Sequence, residues 1–546
     1  MNPEEEPLPQ DTRGSLMRHA AVMTVGTTLS RLTGFLRLTA MTATLGVTVS
    51  TLGTIYTVAN LTPNIVYELI LGGILTSVFV PVFVERLETH GVDDAREVAH
   101  RVVTLVLVLL VAVAAVGAVF AEQIIRLYLV SEDARDLEAQ IQLGVFFLRW
   151  FMPQIVFYGV GAVAIGLLQA HRRFAAPMFA PILNNLVVIG TFIAYALVRG
   201  SRPPTVEGIT GAERTVLAAG TTLGVVVMTA ALWPSLRSIG YRVRLRLAWR
   251  HEAVRRLIRL AAWVALYVAS NQLAYVVVIV LNNRFDAGPQ IYTTAFIVFQ
   301  LPHAIFAVSI FTAILPGMSE RWATGHPEGV RTLVSRGLRD TAVVTIPAAL
   351  GLFALAEPIA RLLFEHGAAV DADAAAIGDT LQGFAAGLVF FSSFQLLTRT
   401  FYAMQDTRTP ALVNVATGVV NVAAAVVYTE LFGLGLPGMA LAHATTYVVG
   451  AAALVLLLRR RLGRIDGARI AGTMIKTTIA AIASAAAAFG VLAIWGQATD
   501  AGVLAQAIHV GLAVICGVLV FLISALILRV GEVDDVRKAI IRRFRG

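Results

Sequence analysis

Charge is what this chain is short of: of 546 residues, 14% are Asp, Glu, Lys or Arg, while 57% are hydrophobic. Hydrophobic runs recur along nearly its whole length and leave no polar stretch long enough for a separate soluble domain. That balance excludes a soluble protein and implies a polytopic helical membrane protein. Cysteine is nearly absent. The single Cys516 lies in an apolar run, which excludes a disulfide framework and a thiolate metal site. No His-Glu-x-x-His pattern is present, so no metal is expected, and no GxxxxGK[ST] phosphate loop is present, so this chain carries no ATP motor. The glycines of Gly159-Val-Gly161 sit inside a hydrophobic run and read as helix packing rather than a dinucleotide fingerprint. Residues 1–18 are polar and start acidic (Glu4, Glu5, Glu6). They lack the basic start and short apolar core of a cleaved signal, so the first helix is expected to stay as an anchor. Nothing suggests catalytic residues or a cofactor, and the chain is not read as an enzyme. A net charge of +9 would suggest nucleic acid for a soluble protein. Here its distribution reports topology, and no nucleic-acid partner is expected.

The fold class expected is all-α, with about fourteen transmembrane helices. The spans are placed at 19–46, 52–84, 101–121, 144–170, 178–198, 215–236, 257–282, 289–319, 336–356, 376–402, 410–431, 436–458, 470–495 and 501–529. Pro63, Pro153 and Pro302 lie inside spans and predict kinks or tilt. With the N-terminus in the cytoplasm, inside segments hold 32 of the 43 Lys and Arg, and outside loops hold seven. The densest inside loop carries Arg237, Arg242, Arg244, Arg246, Arg250, Arg255, Arg256 and Arg259, whereas the outside loop from Val130 to Glu138 is mainly acidic. This positive-inside pattern supports the even helix count and places both termini in the cytoplasm. After Glu532, apolar residues (Val536, Ile540, Phe544) alternate with Arg537, Lys538, Arg542, Arg543 and Arg545. That tail reads as a short basic helix on the anionic lipids of the inner leaflet.

The chain also repeats itself. Pro81-Val-Phe-Val-Glu85-Arg86 returns as Pro316-Gly-Met-Ser-Glu320-Arg321, and Glu122-Gln-Ile-Ile-Arg126-Leu127 as Glu357-Pro-Ile-Ala-Arg361-Leu362, both at an offset of 235. Pro177 opening span five matches Pro410 opening span eleven at an offset of 233. The period covers six spans, an even number, so the two copies are parallel, which is a transporter architecture. The expected organisation is a tail at 1–18, an N-terminal lobe at 19–240, a C-terminal lobe at 241–462, an added helix pair at 463–530 and the basic tail at 531–546. The repeat places Glu85, Arg86, Glu320 and Arg321 at inner-face helix ends, where local capping, salt bridging and cavity closure are the candidate roles.

The most informative stretch is Ser30-Arg31-Leu32-Thr33-Gly34-Phe35-Leu36-Arg37, midway along the run from Ala21 to Val49. An arginine near the bilayer centre costs at least ~2.5 kcal/mol, so each needs a partner or a wet cavity. Gly34 lies between the two guanidinium groups and leaves room for something to approach the backbone, and Thr24, Thr27 and Thr28 continue the polar face. Two readings stand. The arginines bond neighbouring helices or snorkel, or they form an anion site, since guanidinium is permanently charged and donates in a planar fork matched to phosphate. Glu68 is the only carboxylate placed well inside the membrane, and it pairs with Arg31 or Arg37 or carries a proton. Arg149, near the outer end of span four, reads as snorkelling, and Asn184, Asn185, Asn271, Asn414 and Asn421 as interhelical glue.

Together these motifs resemble the MurJ (MviN) family of lipid II flippases, in the multidrug/oligosaccharidyl-lipid/polysaccharide exporter superfamily. The family's SRxxGFxR pattern stands as Ser30, Arg31, Gly34, Phe35 and Arg37; its RFxxPxFAPxLxN as Arg173, Phe174, Pro177, Phe179, Ala180, Pro181, Leu183 and Asn184. Its FYAxxDTRTP signature, the most specific of the three, stands as Phe401-Tyr402-Ala403-Met-Gln-Asp406-Thr407-Arg408-Thr409-Pro410. The resemblance covers nearly the whole chain. It implies two six-helix lobes forming a V around a cationic cavity, with the last two helices lining a groove for a lipid tail. The implied activity is translocation of undecaprenyl-pyrophosphate-linked peptidoglycan precursor from the inner to the outer leaflet by alternating access. The substrate-binding candidates are Arg31, Arg37, Gly34, Thr27, Ser30, Asn64 and Glu68; Arg173, Asp406 and Arg408 join the inner-face set as candidate gating residues. Where the family usually has arginine in span two and ahead of a Phe-Pro in span seven or eight, this chain has Tyr67 and Ile297, and Leu38 replaces an acidic residue that often follows the second arginine. No sodium site is expected, because spans seven and eleven lack the carboxylates for one.

The partners expected are therefore a polyprenyl-pyrophosphate lipid, anionic inner-leaflet lipids, and proteins of cell-wall synthesis and division, in a bacterial cytoplasmic membrane. The rival readings are an exporter of another polyprenyl-linked glycan, a non-transporting scaffold for cell-wall enzymes, and a cation-coupled drug exporter. The last would be expected to hold an acidic cavity, which only Glu68 supports.

Overall fold

The computed structural model describes residues 10–46, 51–68, 91–129, 134–171, 173, 175–241, 268–365, 371–495, 502–534 and 537. Among the described residues there is helix, turn and loop but no strand. By contacts the chain forms two compact units, residues 1–46 with 50–272, and residues 47–49 with 273–546. The expected lobe boundary at 240/241 abuts residues 242–267, which lie outside the described residues.

The first unit holds α1 (Gln10–Leu45), α2 (Leu52–Glu68), α3 (Gly91–Val119), α4 (Ala121–Tyr128), α5 (Ala134–Phe151), α6 (Gln154–Ala170), α7 (Ala175–Arg199), α8 (Gly211–Ala230) and α9 (Trp233–Ser238). Helix α10 (Val268–Asn282) runs across the boundary. The second unit continues with α11 (Gly288–Pro302), a π-turn (His303–Ala307), α12 (Val308–Ala323), α13 (Pro327–Phe364), α14 (Asp371–Ala385), α15 (Leu388–Ala403), α16 (Arg408–Val426), a π-turn (Val427–Leu431), α17 (Gly435–Leu462), α18 (Gly467–Trp495) and α19 (Val503–Ile527). Among the described residues, ten helical stretches are long and apolar enough to cross a membrane, and the bent pair α14–α15 makes an eleventh. They coincide with expected spans three to six and eight to fourteen. Expected spans one, two and seven fall on α1, α2 and α10, so the count of fourteen is compatible with the helices seen. The protein is an all-α multi-pass membrane protein.

Local signals explain several boundaries. Helix α8 opens on a capping box: the Glu213 N–H donates to Thr210 Oγ1 (3.3 Å), and the Thr210 N–H donates to the Glu213 carboxylate (3.0 Å). Pro177 falls in the first turn of α7, where a missing N–H costs nothing. Helix α17 ends on three arginines, and the chain leaves it through Gly463 at φ +79°, a left-handed conformation that favours glycine.

The two units share an internal plan. Span four of the first unit breaks at Met152-Pro153, between α5 and α6, and span ten of the second breaks at Ala386-Gly387, 234 residues on (386 − 152 = 234). The pair α3–α4, separated only by Phe120, occupies the place that the single 38-residue α13 takes in the second unit. The same pairs meet in both: α7 with α8 as α16 with α17, and α2 with α5 as α11 with α14. The first core centres on Tyr56, edge-on to Phe147, Phe151 and Phe192 at 5.6–5.9 Å. In the second unit the added helices α18 and α19 pack on each other and on α13, where Ala342 and Ile346 meet Ala480, Ala481, Phe521 and Ala525. Small residues allow that close approach, and the Ser484 hydroxyl donates to the Gly517 carbonyl (2.7 Å) across it.

Candidate functional site

Helix α1 carries the arginine stretch and is held by α7. About midway along α1 the two helices nearly touch: a Cβ on Gly26 would lie 2.7 Å from Met178 Cβ. Further along, Asn185 Nδ2 donates to the Ser30 carbonyl (3.2 Å) and to Thr33 Oγ1 (3.1 Å). The group that approaches Gly34 is this same Asn185 amide, 3.5 Å from where a Cβ would be, an ordinary contact distance. Asn185 thus acts as interhelical glue, and it orients the face on which Ser30, Gly34 and Arg37 lie.

The two guanidinium groups have different settings. Six residues separate them, about 9 Å along the axis and ~120° around it. Arg31 is exposed and Arg37 is half-buried. Arg37 acts electrostatically on the buried phenols of Tyr56 and Tyr158. Among the described residues neither arginine has a hydrogen-bond or ion-pair partner. Tyr56 is itself fixed by a 2.7 Å bond to Thr221 Oγ1 and by its ring contacts, so the wall beside Arg37 is rigid. Asn64 is half-buried on α2 and donates to the Asn60 carbonyl (2.7 Å), a bond within its own helix. Thr27 and Glu68 lie on α1 and α2, but their side chains are outside the described residues, as is that of Tyr67. Leu38 is buried and Ile297 half-buried.

Of the candidate gating residues, Glu85 and Arg86 lie outside the described residues. Glu320 and Arg321 are exposed in the last turn of α12, and Arg321 Nη1 donates to the Gly329 carbonyl (3.3 Å), tying α12 to the first turn of α13. Arg173 is exposed just before α7, and Arg408 is exposed at the start of α16. Asp406 is the structured member. Its carboxylate accepts the Thr409 N–H (3.0 Å), the Thr409 hydroxyl (2.8 Å) and Arg461 Nη1 (2.5 Å). Partial burial alone would raise its pKa, but the Thr409 bonds and the Arg461 guanidinium outweigh that and hold it below the usual carboxylate value. Arg461 also lies over the Trp322 ring, 5.4 Å from its centroid. One arginine from the end of α17 therefore joins the end of α12 to the start of α16. Among the described residues no group of three or more His, Cys, Asp or Glu side chains could hold a metal ion.

Sequence reasoning missed Gly26, Tyr56, Tyr158 and Arg461. Gly26 and Tyr56 carry no motif, and Arg461 is one of three consecutive arginines, so only the helix phase singles it out. The glycines read as packing residues do pack: a Cβ on Gly159 would collide with Leu110, and one on Gly161 would lie 3.1 Å from Thr229 Oγ1.

Comparison with known proteins shows what the chain as a whole is similar to. Relatives include the probable lipid II flippase MurJ of Rhizobium meliloti (strain 1021), 28% identical over 413 residues, 75% of each chain. The probable lipid II flippase MurJ of Rhizobium tropici is 28% identical over 437 residues, 80% of each. The lipid II flippase MurJ of Burkholderia cenocepacia is 26% identical over 448 residues, 81% of this chain and 84% of that one. A solved lipid II flippase MurJ in an inward closed conformation matches with a TM-score of 0.75 and 19% identity, over 93% of this chain and 99% of that one. An inward-facing multidrug resistance MATE family transporter of the MOP superfamily matches at 0.61 and 14% identity, over 82% of this chain and 94% of that one. At those identities the likeness is one of fold. The family model described as lipid II flippase MurJ matches residues 41–510, taking in the motifs at 173–184 and 401–410 and starting just after Arg37; the chain belongs to that family.

Proposed function

We propose that the chain is a flippase that carries a polyprenyl-pyrophosphate-linked peptidoglycan precursor, lipid II, from the inner to the outer leaflet by alternating access. The physical problem is to move a charged, sugar-bearing headgroup through hydrocarbon while its polyprenyl tail stays in lipid, and protein-lined polar surface solves it where lipid cannot. The observation that carries the reading is the state of Arg31 and Arg37: two guanidinium groups on one membrane helix with no acceptor among the described residues. A pyrophosphate offers at least two negative charges and several acceptor oxygens, which a pair of planar forks can hold. Ser30, Gly34, Thr27, Asn64 and Glu68 are the further substrate-side candidates. Glu85-Arg86, Glu320-Arg321, Arg173, Asp406 and Arg408 form the inner-face set, with both termini in the cytoplasm. On this reading the added helices α18 and α19 serve the lipid tail. Proteins of cell-wall synthesis and division are the macromolecular partners of such an activity. Because Tyr67 and Ile297 stand where the family usually has arginine, the α1 pair carries a larger share of the anion binding here.

The test is rescue of a bacterial strain depleted of its own lipid II flippase. Arg31→Ala and Arg37→Ala should each abolish rescue at normal membrane levels, since removing a charge makes α1 easier to insert, not harder. Arg31→Lys keeps the charge but loses the fork, and should rescue partially. Full rescue by both alanine variants at normal levels would make the arginines structural and remove the chemical basis of the proposal.

A further inference from the structure

Helices of the second unit depart from a straight α-helical path around one histidine. The π-turn His303–Ala307 separates α11 from α12, and α14 meets α15 at 50° across Ala386-Gly387. Between them lies His443 of α17. Its ring is edge-on to Phe296 of α11 (5.1 Å, 84°), to Phe384 of α14 (5.5 Å, 82°) and to Tyr447 one turn along its own helix (4.9 Å, 78°). Its Nδ1 is 3.5 Å from the Tyr292 hydroxyl. Its Nε2 is shut off from solvent and has no hydrogen-bond partner among the described residues. The bend in span ten rests on the neighbouring residue: a Cβ on Gly387 would lie 2.7 Å from both Cα and Cβ of Ala444. From Tyr447 the rings continue through Phe391 (4.8 Å) to His303 (4.4 Å), whose Nδ1 is 2.9 Å from Ser392 Oγ, just past the bend.

The groups facing His443 are few. From α11 they are the Tyr292 hydroxyl and Phe296, from α14 Phe384, and from α17 Tyr447; Tyr275 of α10 acts on Tyr292. Among the described residues no charged side chain acts on the imidazole. A neutral imidazole has one donor and one acceptor nitrogen, and here one of the two is left without a partner among the described residues. A protonated imidazole has two donors and a full charge. An aromatic ring attracts a cation over its face, but a second acceptor, such as water, must reach Nε2 to satisfy a protonated ring. The break in the helices that packs nearest to His443 is the bend at 386–387, which rests on Ala444, the next residue of α17.

We infer that His443 is a proton-binding site, loaded from water at Nε2 when the α14–α15 bend opens and unloaded when it closes, so that a proton is the ion coupled to movement within this unit. The proton enters as hydronium, leaves one water behind, and returns to water on release, with no other reactant. This inference rests on the packing of the second unit and not on the flippase reading.

Two measurements on the full-length protein in nanodiscs test it. In a Cys516→Ser background, spin labels on Asp379→Cys and Thr407→Cys straddle the bend, and their distance is followed from about pH 4.5 to 8, the range in which histidine ordinarily changes charge. Histidine-selective nitrogen NMR follows the ring over the same range, with the His443 signal assigned by its loss in His443→Gln. The expected result is a distance change with the same midpoint as the ring's conversion to the doubly protonated form, abolished by His443→Gln. An imidazole that keeps one protonation state throughout overturns the inference, as does an unchanged distance profile in His443→Gln. His443→Asn serves if the glutamine variant does not fold, and the wild-type titration stands without either. Neither readout uses a lipid-linked substrate, so failure of the flippase reading leaves this result unaffected.

Discussion

Asp406 shows how a motif residue acquires its role from its neighbours. The FYAxxDTRTP stretch reads as an inner-face signature, but the chemistry is a helix start: Asp406 takes the Thr409 N–H and hydroxyl, and Arg461 closes the other side. Losing such a side chain at a helix N-terminus costs about 1 kcal/mol. Because the folded-state pKa is depressed, the stabilisation is complete above the ordinary carboxylate value of ~3.9 and is lost as pH falls through the lower folded value. Asp406→Asn should therefore lower the unfolding temperature at neutral pH and flatten its decline on acidification. Thermal unfolding in detergent across that acid range checks this; an acid decline identical to wild type would mean that Asp406 contributes no such linkage. Arg31 and Arg37, by contrast, have no hydrogen-bond or ion-pair partner among the described residues, and their place inside a long apolar run is what marked them.

At the scale of elements, the docking of α1 on α7 depends on a residue that no motif marks. A Cβ at position 26 would collide with Met178 Cβ, so Gly26→Val must push the helices apart at a cost of about 1–3 kcal/mol. Gly34→Ala meets Asn185 Nδ2 at 3.5 Å and should leave stability unchanged. The pair separates packing from ligand binding. Gly26→Val should lose folded protein in a detergent thermal-shift assay, and Gly34→Ala should not; equal losses would show that Gly34 is a packing residue. A second element-scale contact holds the segment after α19. Arg339 of α13 pairs with Glu532, which also accepts from Thr473 Oγ1 of α18 (3.4 Å), and both charged side chains are nearly buried, at 13% and 9% exposure. Removing one partner of a buried pair typically costs about 3–5 kcal/mol. Glu532→Ala should accordingly destabilise the α13–α18–α19 layer and expose the chain after Ile527 to protease, and unchanged proteolysis would show the pair to be dispensable.

For the whole molecule, the arginine-rich stretch that begins at Arg237, at the end of α9, should lie inside the cell. A cysteine at Ser238, in a Cys516→Ser background, should resist an impermeant thiol reagent applied outside. Efficient labelling there would overturn the orientation and the helix count on which the repeat was read. The shared plan of the two units accords with that count. The same helix pairs meet in each, and a broken span recurs 234 residues on. The two breaks are built from different residues, Met152-Pro153 in one and Ala386-Gly387 in the other, so sequence comparison alone does not align them.

Much of this protein was determined by its sequence alone, because hydrocarbon imposes one rule. Backbone polar groups must be satisfied within each span, so long apolar runs become helices wherever they occur. Charge asymmetry between loops then sets an expected orientation, and three in-order matches near one offset were enough to expose the repeat. Helix phase and packing decide what lies beside what, and no local pattern encodes them. Only the tertiary structure brings Asn185 to Ser30 and Thr33, Tyr56 and Tyr158 to Arg37, Arg461 to Asp406, and an aromatic cage around His443. Several of those pairings join segments far apart in the chain: Asp406 and Arg461 are 55 positions apart, and Ser30 and Asn185 are 155 apart. Their residue types are common in membrane helices, and the side-chain direction that gives each its partner follows from how the helices pack.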